Sequence, residues 1–217
     1  MDTIEKLKIL SEDSQYDLAC ACGTGKDDHR QRGTEGKWLY PVALPQGGYS
    51  ILLKTLLSNA CKNDCKYCPL RSDTDVRRCT LRPEEVANIF MEYLGKKKVF
   101  GLFLSSGVIG TPDNTMDRIN AVARILRYKH EFKGYIHLKI LPGASYGHIE
   151  RAVELATRVS INLEAPSPRH LQALAPDKNF SDDLLTRMRW IKQCLDSKPV
   201  KCRGQTTQFI VGAVGES

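Results

Sequence analysis

The sequence predicts an α/β fold, namely a partial barrel of parallel strands that alternate with helices. The first observation is that β-branched or leucine-rich stretches alternate with amphipathic stretches along the 217 residues, which is typical of βαβ units. The second is that two predicted strands are polar on one face, whereas strands in an ordinary parallel sheet are apolar on both. A polar inner wall favours a barrel with a ligand cavity, although an amphipathic edge hairpin would show the same alternation.

Five segments have the composition and the Gly, Pro or Ser boundaries of strands. They are residues 49–57, 99–105, 134–140, 158–164 and 206–213. Three segments between them place apolar residues at helical spacing, namely residues 83–94, 114–129 and 181–195. Pro83 suits a first helical turn and Gly95 a helix end. Because the chain stops shortly after the fifth strand, we expect a barrel without its closing element.

The polar faces of two strands supply candidate ligand contacts. In residues 158–164, Ser160, Asn162 and Glu164 fall on one face, and apolar residues fall on the other. In residues 134–140, His137 and Lys139 lie on the polar face. These side chains either contact a ligand or form a hydrogen-bonded lining of the barrel.

Composition and charge narrow the class of protein. A hydrophobic content of 41% is enough for one sizeable core. No run approaches the roughly 18 apolar residues of a membrane span, and the N-terminus lacks the apolar stretch of a signal peptide. We therefore expect a cytoplasmic protein without a membrane partner, in which the eight cysteines are metal ligands or buried thiols rather than disulfides. The net charge of +7 can attract nucleic acid, but solvated helix ends and loops explain it as well.

Three cysteines carry the strongest chemical signal. Cys61, Cys65 and Cys68 form a CxxxCxYC pattern immediately after the first predicted strand. Sets of four cysteines hold closed iron–sulfur or zinc sites, whereas three cysteines on a four-iron cube leave one iron open to a ligand. The pattern therefore indicates a reaction centre. The alternative is a structural zinc site, in an interaction module, that takes Cys79 as its fourth ligand.

A second cysteine pair has no clear partner. Cys20 and Cys22 are either incidental loop thiols or part of a second metal site. The Gly-Thr-Gly-Lys run at residues 23–26 is not a phosphate-binding loop, because no strand precedes it and Asp27 stands where Ser or Thr is required.

The cysteine pattern, its place after the first strand and the βα alternation that follows resemble the radical S-adenosylmethionine (radical SAM) superfamily. The resemblance implies a TIM-like (β/α)6 radical SAM barrel, truncated here after the fifth strand. It also implies a 4Fe–4S cluster held by Cys61, Cys65 and Cys68. The implied activity is reductive cleavage of S-adenosylmethionine to a 5′-deoxyadenosyl radical, with electrons from a donor such as flavodoxin or ferredoxin.

The same resemblance implies the residues that bind S-adenosylmethionine. The segment Ser105, Ser106 and Gly107 takes the place of the one that receives the methionyl amino group. Asn162 and Glu164 resemble a ribose-contacting pair, and Ile210 lies in a segment that packs on adenine in related enzymes. Tyr67 packs beside the adenine or shields the cluster.

Five segments resemble one subfamily, the DNA modification/repair radical SAM proteins, which are often encoded beside a uracil-DNA-glycosylase-like partner protein. They are residues 16–20, 101–109, 134–139, 142–145 and 174–178. This resemblance implies a role in DNA modification or repair, and the alternative is a radical SAM enzyme that acts on a non-nucleic substrate. We expect an N-terminal helix and loop extension at residues 1–44 and an incomplete radical SAM core at residues 45–217, so that activity of the fragment itself is in question.

Overall fold

The computed structural model describes residues 1–16, 36–44, 46–197 and 199–215. Within these residues, six strands form one sheet in the order β1-β2-β3-β4-β5-β6. The strands are β1 (Leu39–Ala43), β2 (Tyr49–Leu56), β3 (Gly101–Ser105), β4 (Tyr135–Lys139), β5 (Arg158–Ser160) and β6 (Gln205–Thr206). The helices are α1 (Thr3–Asp13), α2 (Pro83–Gly95), α3 (Pro112–Arg124), α4 (Tyr146–Leu155), α5 (Pro168–Leu174) and α6 (Thr186–Ser197).

The predicted α/β partial barrel is confirmed. Strands β2 to β6 are parallel and connected by helices, and they start close to the five predicted positions. The sequence pattern did not reveal β1, which pairs antiparallel with β2 at the sheet edge. This strand contains Pro41, which lacks a backbone donor and is tolerated at an edge. It also did not reveal the short helices α4 and α5.

The fourth and fifth parallel strands are shorter than predicted. Residues 158–164 and 206–213 were expected to be extended, but regular pairing stops at Ser160 and Thr206. Glu164 adopts a φ of 64°, in the left-handed region, which interrupts the extended backbone. Backbone hydrogen bonds nevertheless continue beyond it, from Glu164 N to Gln208 O (3.0 Å) and from Ile210 N to Glu164 O (2.8 Å).

Two of the predicted helices contain π-helical turns. Residues 114–129 divide into α3 and a π-helical segment, Ile125–Lys129. Residues 181–195 divide into a π-helical segment, Phe180–Leu185, and α6. Apolar spacing over a few turns cannot reveal this difference, because a π turn adds only one residue to the helical repeat.

Side chains fill the inner face of the sheet at the end away from the carboxyl ends of the strands. A small apolar cluster of Tyr40, Leu52 and Phe103 lies apart from the main core. The ammonium group of the fully buried Lys54 lies 4.7 Å from the ring centroid of Tyr40 and 5.5 Å from that of Phe103. It also donates a hydrogen bond to the carbonyl of Ser14 (2.8 Å).

This packing limits the cavity to the carboxyl ends of the strands. The polar side chains of this wall were expected either to contact a ligand or to form a hydrogen-bonded lining. His137 forms a lining, since its Nε2 lies 2.9 Å from Oγ of the buried Ser160. Lys139, two residues further along β4, does reach the cavity.

Candidate active site

One cavity lies at the carboxyl ends of the parallel strands, where barrel active sites are found. The loop after β2 and the ends of β3, β4 and β5 contribute its walls. Of the residues that the sequence predicted as ligands, the cavity is lined by Cys61, Cys65, Tyr67, Cys68, Ser105, Ser106, Gly107, Asn162 and Glu164. Residues far apart in the chain therefore meet in one place.

The end of β3 lies tightly against the start of the loop that carries the three cysteines, residues 59–79 (the cysteine loop). The backbone N–H of Val108 donates to Sγ of Cys61 (3.4 Å), and the N–H of Lys62 donates to the carbonyl of Val108 (3.0 Å). A Cβ atom at Gly107 would lie 2.4 Å from the carbonyl oxygen of Ala60. Only glycine fits this approach, which holds the β3 end beside the first cysteine.

Burial disfavours the charged form of two of the three thiols. Burial raises the pKa of the Cys65 thiol. Burial also raises the pKa of Cys68, and the neighbouring Cys65 and Cys61 add to this effect by repulsion between thiolates. Thiolates in such a place need a compensating cation, and bound iron would supply one.

Lys178 is buried in the cavity wall, although the sequence predicted no role for it. Its Nζ donates to Oε1 of Glu164 (3.2 Å) and to the hydroxyl of Tyr67 (3.1 Å). Burial opposes the charge of Lys178, but the negative charges of Glu164 and Cys65 outweigh it and raise the lysine pKa. Lys178 thus places a positive charge between the cysteine loop and the end of β5. The only signal in the sequence was its place in the segment 174–178.

Glu164 is held in an unfavourable backbone conformation. A positive φ in a residue other than glycine costs of order 1 kcal/mol or more, and such strain clusters at functional sites. The side chain is 7% exposed and faces Lys178. Ile210 is joined to Glu164 through its backbone but does not line the cavity, and the neighbouring Phe209 is 49% exposed.

Asn162 offers a hydrogen-bond acceptor to a ligand. Its Oδ1 is buried and has no hydrogen-bond partner within the described part of the chain. Buried polar atoms are nearly always paired, so an unpaired one in a cavity wall is a natural partner for a ligand donor such as a hydroxyl group.

The side chains that line the cavity fit an iron–sulfur cluster with an organic cofactor beside it. Among the described residues, no three Cys, His, Asp or Glu side chains converge closely enough to hold a single metal ion. Ligands at the corners of a four-iron cube stand further apart than the ligands of one ion. Three cysteines around one cavity, of which Cys65 is buried and Cys61 and Cys68 are half-buried, match the cube. The acceptor on Asn162 and the cation of Lys178 match a polar organic cofactor beside it.

The other cysteines lie elsewhere. Cys79 is not among the described residues that line the cavity, and its backbone N–H donates to Oδ1 of Asn59 (2.7 Å). Cys20 and Cys22 lie outside the described residues.

The fold and site define a class of protein: an α/β barrel whose first parallel strand leads into a three-cysteine loop at the mouth of the barrel. Residues 55–217 match the model of the radical SAM superfamily. The chain belongs to this superfamily, whose members bind a 4Fe–4S cluster and S-adenosylmethionine. A comparison with curated proteins found no match.

Several solved structures share the fold. Methylornithine synthase (PylB) has a TM-score of 0.58 and 16% identity, over 95% of this chain and 60% of that one. The FeFe-hydrogenase maturase HydG from Carboxydothermus hydrogenoformans has a TM-score of 0.56 and 20% identity, over 65% of this chain and 33% of that one. The cobalamin-dependent S-adenosylmethionine radical enzyme OxsB has a TM-score of 0.54 and 15% identity, over 74% and 24%. The chain thus spans less than two thirds of each of these proteins.

No helix among the described residues is both long and apolar enough to span a membrane.

Proposed function

We propose that this chain forms the catalytic core of a radical SAM enzyme in which Cys61, Cys65 and Cys68 hold the cluster. The observation that carries the proposal is the convergence of these three thiols on one cavity, together with an unpaired amide oxygen at Asn162 and a buried cation at Lys178. When bound, the cluster and S-adenosylmethionine supply reductive cleavage that begins radical chemistry.

The chain's own residues bind and orient these groups. Three thiolates are one fewer than the four irons of the cube, which leaves one iron for the cofactor. The N–H of Val108 stabilises negative charge on the sulfur of Cys61. Lys178 provides a cation for a carboxylate, and Asn162 accepts a hydrogen bond from a hydroxyl group. The packed layer below, with Tyr40 and Phe103, closes the barrel floor to water.

For the substrate, we propose DNA, in a modification or repair reaction. Support comes from the five segments that resemble the DNA modification/repair subfamily, from the net charge of +7, and from the exposed Lys62 and Lys66 on the cysteine loop. The proposed partners are a uracil-DNA-glycosylase-like protein and a flavodoxin or ferredoxin as electron donor, in the cytoplasm.

A second candidate is a non-nucleic substrate. It is favoured by the similar structures, because PylB is a methylornithine synthase and HydG a hydrogenase maturase. A structural zinc site is disfavoured because Cys79, its required fourth ligand, does not line the cavity with the other three cysteines.

Anaerobic reconstitution tests the chemistry. We expect about four irons per chain and the formation of 5′-deoxyadenosine after reduction in the presence of S-adenosylmethionine. Cys65→Ala should abolish this product, whereas the control Cys79→Ala should retain it. Stoichiometric zinc in place of iron, or full cleavage by Cys65→Ala, would contradict the proposal.

Oligonucleotide binding tests the substrate. Intact and damaged duplexes are titrated at two salt concentrations, because attraction by charge alone weakens steeply with salt. A preference for damaged DNA that persists at the higher salt supports the DNA proposal. Loss of all binding at the higher salt favours the non-nucleic candidate.

A further inference from the structure

The cysteine loop, residues 59–79, is closed at its base. It leaves the end of β2 and returns antiparallel to its own start, with an isolated bridge between Ser58 and Thr80. The N–H of Leu81 donates to the carbonyl of Leu57 (2.9 Å), and the N–H of Asn59 donates to the carbonyl of Cys79 (3.3 Å). The three cysteines therefore lie on a loop whose two ends are fixed side by side.

The guanidinium group of Arg78 joins the two halves of this loop. Its Nη1 donates to the carbonyl of Asn59 (2.6 Å), before the first cysteine, and to that of Leu70 (2.8 Å), after the last. Its Nη2 donates to the carbonyls of Arg71 (2.8 Å) and Thr74 (3.0 Å) and to Oγ1 of Thr74 (3.0 Å). One side chain thus holds carbonyls on both sides of the cysteine segment.

The chemistry of arginine explains why one residue can do this. Carbonyl groups of an irregular loop have no strand or helix partner, and leaving them unpaired inside the protein is costly. The planar guanidinium presents several donors in a fixed fork, whereas a lysine ammonium is a compact point charge. All the partners of Arg78 in this arrangement belong to the protein. The arrangement therefore needs no metal.

We propose that Arg78 is a positioning residue that holds the cysteine loop in its ligand-ready shape before the cluster is bound. This inference rests on the proposed cluster site at Cys61, Cys65 and Cys68. Arg78 itself touches neither the cavity nor the cysteine side chains among the described contacts. Its effect on the cluster is exerted through the loop backbone.

The test compares Arg78→Gln and Arg78→Lys with Arg77→Gln. Arg77 is a matched control, because it is the adjacent arginine but forms an exposed ion pair with Glu5 (2.8 Å). After reconstitution, both Arg78 variants should lose iron to a chelator about 10- to 100-fold faster than wild type, as is usual when a group that supports metal ligands is removed. Arg78→Lys should retain iron no better than Arg78→Gln, because the ammonium group keeps the positive charge but lacks the planar set of hydrogen-bond donors.

The electron paramagnetic resonance (EPR) spectrum of the reduced cluster adds a readout that general destabilisation would not move. We expect a smaller spectral change on addition of S-adenosylmethionine in both Arg78 variants and a wild-type change in Arg77→Gln. Wild-type iron retention and a wild-type spectrum in Arg78→Gln would overturn the proposal.

Amide hydrogen exchange on cluster-free wild-type protein provides a second test that does not depend on the folding of a variant. The loop amides that donate to protein acceptors, such as those of Lys62, Lys66 and Ser72, should be protected from exchange without iron, and rapid exchange at these amides would overturn the proposal. Failure of the proposed function would look different: wild-type protein would bind no iron–sulfur cluster, whatever the exchange result.

Discussion

At the scale of single residues, two residues in the cavity wall lower the stability of the folded chain when no ligand is bound. Asn162 has a buried acceptor without a partner in the described structure, and Glu164 has a left-handed backbone. Each feature lowers the stability of the folded chain. Their occurrence together in one wall, beside the cysteine loop, indicates a surface shaped for binding.

The first prediction concerns Asn162→Leu. Removing the unpaired acceptor should leave the cluster-free protein as stable as wild type or more stable, because a buried polar atom without a partner is lost. The same change should weaken binding of S-adenosylmethionine by up to about 10-fold, the value of one net hydrogen bond. Calorimetric titration of the reconstituted protein and thermal unfolding of the cluster-free protein measure the two effects.

Asn120 provides the matched control. Its Oδ1 is also buried and unpaired among the described residues, but it lies between α3 and α4, away from the cavity. Asn120→Leu should therefore leave cofactor binding unchanged. Equal weakening in both variants would show that Asn162 has no special role in binding.

At the scale of secondary-structure elements, Glu85 joins the N-terminal helix to the barrel. Its carboxylate accepts hydrogen bonds from Oγ1 of Thr3 (2.8 Å), Nζ of Lys6 (3.2 Å) and the backbone N–H of Arg82 (2.7 Å). The last contact caps the first turn of α2, while the first two come from α1. Burial alone would raise the pKa of Glu85, but these hydrogen bonds and the charge of Lys6 outweigh it and lower the pKa.

The second prediction concerns Glu85→Gln and its dependence on pH. A carboxyl whose pKa is lowered by folding stabilises the protein above its unfolded value of 4.5, and this contribution is lost as the pH falls through its lower folded value. At pH 7, Glu85→Gln should reduce the free energy of unfolding by up to about 1 kcal/mol, because the neutral amide can still cap the helix but loses the ion pair with Lys6. The difference should disappear in acid.

Glu84→Gln is the control for this experiment. Glu84 is exposed and lies in the same helical turn, so it carries the same interaction with the helix dipole but none of the three contacts. Urea titrations at several pH values compare the variants. A loss that stays constant from neutral pH to strongly acidic pH would contradict the assigned role of the Glu85 carboxylate.

At the scale of the whole molecule, α1 packs into the same core as the barrel. Leu7 and Leu10 are fully buried in the cluster that contains the strands and helices of the sheet. Residues 1–44 were predicted as an N-terminal helix and loop extension of a radical SAM core at residues 45–217. These contacts favour folding of α1 and the barrel in one cooperative transition.

The third prediction therefore concerns Leu10→Ala. Truncating this buried leucine should reduce the free energy of unfolding of the whole chain by about 2–5 kcal/mol. The midpoint of unfolding should shift equally for tryptophan fluorescence, which reports Trp38 beside β1 and Trp190 in α6, and for circular dichroism of the helices. Ile4→Ala, at a 43% exposed position of the same helix, should have little effect. Two separate transitions, with only one shifted, would show that the N-terminal segment folds independently.

Local sequence patterns determined much of the fold. The five parallel strands were predicted from β-branched and leucine-rich runs that are bounded by Gly, Pro and Ser. Such runs are visible in the sequence because the buried side chains of one strand lie close together along the chain. The three cysteines and the polar residues Asn162 and Glu164 were predicted for the same kind of reason, since they lie on short motifs. The structure brings these residues to one cavity.

Tertiary structure alone decided which distant groups complete the site. Lys178 contacts Tyr67 across 111 positions of sequence, so apart from its place in the segment 174–178 no local pattern marks it. Below the site, Lys54 likewise contacts Ser14 across 40 positions. The left-handed backbone at Glu164, beyond the end of β5, is likewise held by hydrogen bonds to Gln208 and Ile210. The sequence by itself determined the class of chemistry, because the cysteine ligands lie on one short loop. The charge and shape of the cavity arise only when separate strands meet, because those side chains interact solely in the folded chain.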